Sequence, residues 1–176
     1  LMAALIIALG VLAGTALPAY ASAPAPDQST AGYEIKFMQS MIDHPQMAVM
    51  TATICLEEAV HDELRAMCEE IVATQSQEID TMQMWLQEWY GISYEPAMSP
   101  SGMRTVERLA ALEGEEFEFA FMEMMIRHHE GAIKEASRCL QRAYHEDLLS
   151  MCEAIIEAQQ AEIEQMEAWL SEWYGL

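Results

Sequence analysis

Basic residues are scarce in this chain: eight Lys and Arg stand against 29 Asp and Glu, for a formal charge of −21. Phosphate binding needs concentrated Lys and Arg, so a nucleic-acid partner is not expected, and an anionic membrane surface is disfavoured on the same ground. Sustained period-2 alternation is missing, which argues against strands. Histidines number only five, too few for a hemerythrin-like centre. The one Glu-x-x-His spacing, Glu58 to His61, falls at an expected turn, and its counterpart begins with Arg142. A carboxylate-bridged iron site needs that motif from two helices, so this chemistry is set aside. No Ser-His-Asp arrangement and no thiolate–His pair is set up by spacing, and no enzyme is read.

A long apolar run is found only at the start. LMAALIIALGVLAGTALPAYASA ends in small residues, and Ala19-Tyr20-Ala21 fits an A-x-A cleavage pattern. Residues 1–21 therefore read as a secretory signal peptide, incomplete at its N-terminus for want of a charged region, with a retained membrane anchor as the rival reading. Residues 22–32 read as a flexible leader. The exported reading makes the protein periplasmic or otherwise secreted, with no membrane insertion after cleavage. Most of the acids are then a solvated surface.

What the chain has in abundance is repetition. Residues 33–92 align without a gap to residues 117–176 at a constant offset of 84, pairing Phe37 with Phe121, Met41 with Met125, His44 with His128, Cys55 with Cys139, Gln75 with Gln159, Glu78 with Glu162 and Met82 with Met166. Each copy carries two helical stripes. In the second copy these are Phe121, Met125, His128, Ala132, Ala136 and Cys139, then Cys152, Ile155, Gln159, Ile163, Met166, Leu170 and Trp173. Gly91 and Gly175 stand where C-terminal caps belong. The link, residues 93–116, opens as a proline loop and is expected to hold a short helix over 103–112, ended by Gly114. One hairpin alone exposes its stripe and two facing hairpins bury it. The expected fold is all-α, a four-helix bundle of two antiparallel hairpins.

Each copy has two cysteines thirteen positions apart, flanking the expected turn. In an exported protein the expected bridges are Cys55–Cys68 and Cys139–Cys152, each worth about 3 kcal/mol by loop closure. Thiolate metal ligation is the alternative, and it lacks the usual C-x-x-C clustering. With those cysteines opposed, Met125 falls opposite Met166, His129 opposite Glu162 and Met41 opposite Met82, while His44 lies within a turn of Glu78.

Twelve methionines lie in the two repeats, close to histidines at matched depth. Thioether sulfur is soft and survives oxidation to disulfide, so it suits Cu(I), with Ag(I) as its mimic, and imidazole completes such a site and also takes Cu(II). The candidate ligands are Met41, His44 and Met82 in one copy and Met125, His128, His129 and Met166 in the other. Met38, Met47, Met50, Met122, Met124, Glu78 and Glu162 are further candidates. Methionine is also ordinary core filler and a histidine on an apolar face is also an ordinary hydrogen-bonded core residue. Two other readings therefore stand beside copper: a disulfide-stapled structural or interaction bundle, and a carboxylate-based binder of another divalent cation.

FMEMMIRHHEGAIKEA (121–136) followed by AQQAEIEQMEAWL (158–170) resembles the ferritin-like family of exported copper-binding proteins known as domain of unknown function 305, or CopM-like. The resemblance spans both repeats and rests on Met125, His128, His129 and Ala132, then Gln159, Glu162, Ile163 and Met166. It implies a periplasmic four-helix bundle that binds Cu(I), Cu(II) or Ag(I) in copper resistance. A copper donor or acceptor protein is a partner the sequence does not identify. The first copy departs from the pattern: Pro45 replaces the second histidine, and Met47 replaces Gly131. A kink is expected there, and this half reads either as a more methionine-dependent Cu(I) site or as a degenerate copy.

Overall fold

The computed structural model describes residues 23–175; the expected signal segment lies outside them. Six helices follow in order: α1 (Gln28–Asp43), α2 (Pro45–Glu58), α3 (Asp62–Tyr90), α4 (Pro100–Leu109), α5 (Gly114–Cys139) and α6 (Glu146–Tyr174). Helices α1 and α2 form one rod, interrupted at His44 because Pro45 lacks the amide that would continue the helix. That rod with α3 makes the first hairpin, α5 with α6 makes the second, and α5 packs across onto α1 and α2. The result is a four-rod bundle crossed by the short helix α4. Among the described residues no helix is long and apolar enough to cross a membrane.

Local chemistry sets the boundaries. The Asp27 side chain accepts from Ser29 N at 2.9 Å and Thr30 N at 3.0 Å, so the helix begins at Gln28, inside the leader expected over 22–32. Ser99 caps α4 through Gly102 N at 3.0 Å, with Pro100 in the first turn, which starts α4 earlier than the expected 103. Gly114 corrects a second expectation: at φ +56 it opens α5 rather than ending α4. Gly91 and Gly175 do close α3 and α6 in the left-handed region, at φ 67 and 76.

Both expected disulfides are formed, Cys55–Cys68 and Cys139–Cys152, with Cα atoms 6.2 and 6.5 Å apart. They fix the turn end of each hairpin. The apolar core is split in two. One cluster joins the turn half of the first hairpin (Ala52, Cys55, Leu64, Ile71) to the open half of the second (Phe117, Phe121, Met122, Met125, Met166). The other joins Phe37, Met38, Met41 and Met82 to Ala136, Cys139, Leu148 and Ile155. Members of the two clusters exchange under the offset of 84, so the hairpins lie head to tail about a pseudo-two-fold axis.

Candidate metal centre

Residues near a pseudo-two-fold axis meet their own copies, and His44 and His128 do so. Their rings stack with centroids 3.8 Å apart and planes 9° apart. His44 Nε2–H donates to the carbonyl of His128 at 3.3 Å, and His128 Nε2–H donates to the carbonyl of His44 at 3.1 Å. A carbonyl accepts only, so each neutral ring carries its proton on Nε2 and leaves Nδ1 as a bare lone pair. His128 Nδ1 is buried and has no hydrogen-bond partner. Burial, with His44 beside it, pushes the His128 imidazole down to about 3, and burial lowers His44 as well. Both rings are neutral at physiological pH, the form in which imidazole ligates metals.

His129 lies next to this stack, its ring centroid 5.8 Å from that of His128, and is fully buried. Glu162 Oε2 approaches its Nε2 to 2.6 Å, the opposition expected from the cysteine register, yet the two are not aligned as a hydrogen bond. Both ring nitrogens of His129 and the side-chain oxygens of buried Gln75 and Gln159 lack partners. Buried polar groups are normally satisfied, and these are the atoms of the layer left able to take a further partner. Glu78, the counterpart of Glu162, has proline rather than histidine in its own repeat at the matching place. Burial and the nearby Glu162 carboxylate push it up to about 7.

The methionines flank this layer. Met125, Met166, Met122 and Met124 are buried in one apolar cluster, with Met47 packed against it, while Met41, Met82 and Met38 are buried in the other. Each expected facing pair thus shares a cluster, whereas the histidines meet across the hairpins. Met50 stands apart, 47% exposed. Among the described residues no three His, Cys, Asp or Glu side chains converge as a metal-binding group.

Three features escaped the sequence reading. Glu34 is fully buried and binds the other hairpin: its Oε1 accepts from Tyr144 N at 2.6 Å and His145 N at 3.0 Å, and its Oε2 sits 2.6 Å from His145 Nδ1 and takes the Tyr90 hydroxyl. Glu118 does the same for His61 N at 2.7 Å, His61 Nδ1 at 2.8 Å and the Tyr174 hydroxyl at 2.8 Å. Trp89 and Trp173 stack on His145 and His61, each at 3.8 Å. Burial alone raises both carboxyls, but these hydrogen bonds outweigh it and hold Glu34 and Glu118 below the usual carboxylate value, while Tyr90 and Tyr174 are pushed up. The signal was a glutamate on the apolar stripe, three residues before Phe37 and Phe121, in both copies. The remaining feature is Met98, which lines a cleft reaching His44 and His128.

Fold and site together define a class: a duplicated, disulfide-stapled helical bundle with a buried histidine layer between two methionine-bearing cores. The chain belongs to the family described as Domain of unknown function (DUF305), whose model matches residues 34–170. It is similar to CopM in its Cu(I)-bound form, at 31% identity and TM-score 0.72, over 81% of this chain and 98% of that one. CopM in its Cu(II)-bound form matches at 29% identity and TM-score 0.73, over 80% and 97%. A DUF305 fragment from Deinococcus radiodurans matches at 28% identity and TM-score 0.69, over 80% and 96%. No curated protein matches the chain.

Proposed function

We propose that this chain is an exported, non-catalytic copper-binding protein that sequesters or relays Cu(I) in copper resistance or homeostasis. Ag(I) serves as the mimic and Cu(II) as a further guest. The observation that carries the reading is the tautomer imposed on the stacked histidines: reciprocal bonds to carbonyls hold the protons on Nε2 and leave His128 Nδ1 unpartnered, beside His129, whose Nε2 faces Glu162. Metal-bound imidazoles are commonly held this way, one nitrogen to a carbonyl and the other to the metal. Met125 and Met166 supply soft sulfur to the same half of the bundle. The similarity to CopM, which is known in Cu(I)-, Cu(II)- and Ag-bound forms, supports the same guests here.

Two disulfides account for all four cysteines. They suit an oxidising compartment and leave thioether as the sulfur ligand. Titrating the full chain with Cu(I) against a competing chelator tests the proposal. Tight binding is expected, weakened when Met125, His128, His129 and Met166 are replaced. No binding by the unmodified chain would leave a stapled structural bundle as the function.

A further inference from the structure

The crossover between the hairpins, residues 93–116, lies between the two repeats, and it is stitched down beside His44. Asp43 Oδ2 accepts from the Tyr94 hydroxyl and Asp43 Oδ1 from Ala97 N, both at 2.7 Å, and Gln83 Nε2 donates to the Tyr94 carbonyl at 2.7 Å. These bonds place Met98, the next residue, over the first turn of α4. Gly102 makes room for it: a Cβ there would come within 3.0 Å of Met98 Cγ and 3.5 Å of its sulfur. Met98 then lines an open cleft of about 570 Å³ together with Met47, His44 and His128. His44 Nε2 is committed to the His128 carbonyl, so Nδ1 is its free nitrogen.

We infer that this cleft is a second, solvent-reachable site for a monovalent coinage-metal ion, formed by the thioethers of Met47 and Met98 with His44 Nδ1. It rests on the copper-binding reading and adds to it a port at the surface, through which Cu(I) reaches or leaves the buried layer at His128. Two soft sulfurs and a neutral imidazole select Cu(I) over the harder divalent ions. The site exists only in the first repeat. At the matching places of the second, Met47 becomes Gly131 and Asp43 becomes Arg127. Repeat one has Pro45 where repeat two has its second histidine, and a cleft thioether two residues later.

The test is Ag(I) titration of the full chain carrying 13C-labelled methionine methyls, followed by NMR. The Met47 and Met98 methyl resonances are expected to shift together. In Met98→Leu the Met47 response should need about tenfold more Ag(I), while Met125 and Met166 still respond. Unmoved Met47 and Met98 methyls beside shifting Met125 and Met166 would overturn the port and leave the proposed function standing. Silence from every methionine methyl would remove both. An unchanged Met47 response in Met98→Leu would also overturn the port, since the crossover then supplies no ligand.

Discussion

His44 and His128 hold the same position in two copies of one hairpin, yet Pro45 follows the first and His129 the second. The exchange changes two things at once. It breaks the first rod at His44, where the second runs unbroken through Gly114–Cys139. It also leaves Glu78 without the imidazole that stands 2.6 Å from Glu162, so Glu78 meets only burial and a like charge and moves up to about 7. Duplication supplies two matched sets of donors, and this exchange gives one half two adjacent buried histidines and the other a helix break beside the cleft.

The largest expected contrast lies at the two locks between hairpins. His145 is 5% exposed and is held further by the Ala23 carbonyl, 2.8 Å from its Nε2, whereas the His61 side chain is 33% exposed. Glu34→Ala should cost about 3–5 kcal/mol, the scale for stranding a buried partner, and Glu118→Ala about half of that by the same reasoning. Chemical denaturation checks the order; equal losses would break the contrast. Both carboxyls sit below their unfolded value of 4.5, so their contribution is full above that pH and is lost as pH falls through the folded values. Each disulfide comes next. Removing either should cost about 3 kcal/mol, equal for the two because both close the same separation of 13 residues.

How much of this was legible in the sequence follows from what periodicity encodes. Spacing fixed which face of each rod is buried, and the cysteines fixed the register within a hairpin, so Met125 with Met166 and His129 with Glu162 came out as expected. Neither says which rods of different hairpins touch. The His44–His128 stack and the Glu34 and Glu118 locks depend on the head-to-tail packing, which only the folded chain reveals. The crossover was the least legible part, because Asp43 and Tyr94 act on it from outside its own local pattern.

Two smaller effects sharpen the comparison. Glu78→Gln should stabilise the protein at pH 8 by roughly 2 kcal/mol, after discounting for partial exposure, and leave it unchanged at pH 4. The sign follows from a folded-state value raised from 4.5 to about 7: native stability declines as pH rises through that window, and glutamine removes the decline. Stability curves at several pH values check it, and a flat difference across pH would refute it. Met125→Leu with Met166→Leu is close to volume-conserving and should cost less than about 1.5 kcal/mol per site. The pair should nevertheless weaken Cu(I) binding more than Met41→Leu with Met82→Leu does, because two buried histidines stand in the second repeat's layer and none of its kind follows His44. Parallel chelator competitions would show the order.

X-ray absorption at the copper edge of the Cu(I)-loaded full chain tests the central claim most directly. A mixed shell of thioether sulfur and imidazole nitrogen is expected, with the sulfur contribution reduced in the Met125→Leu, Met166→Leu variant. A shell of oxygen and nitrogen alone would contradict it.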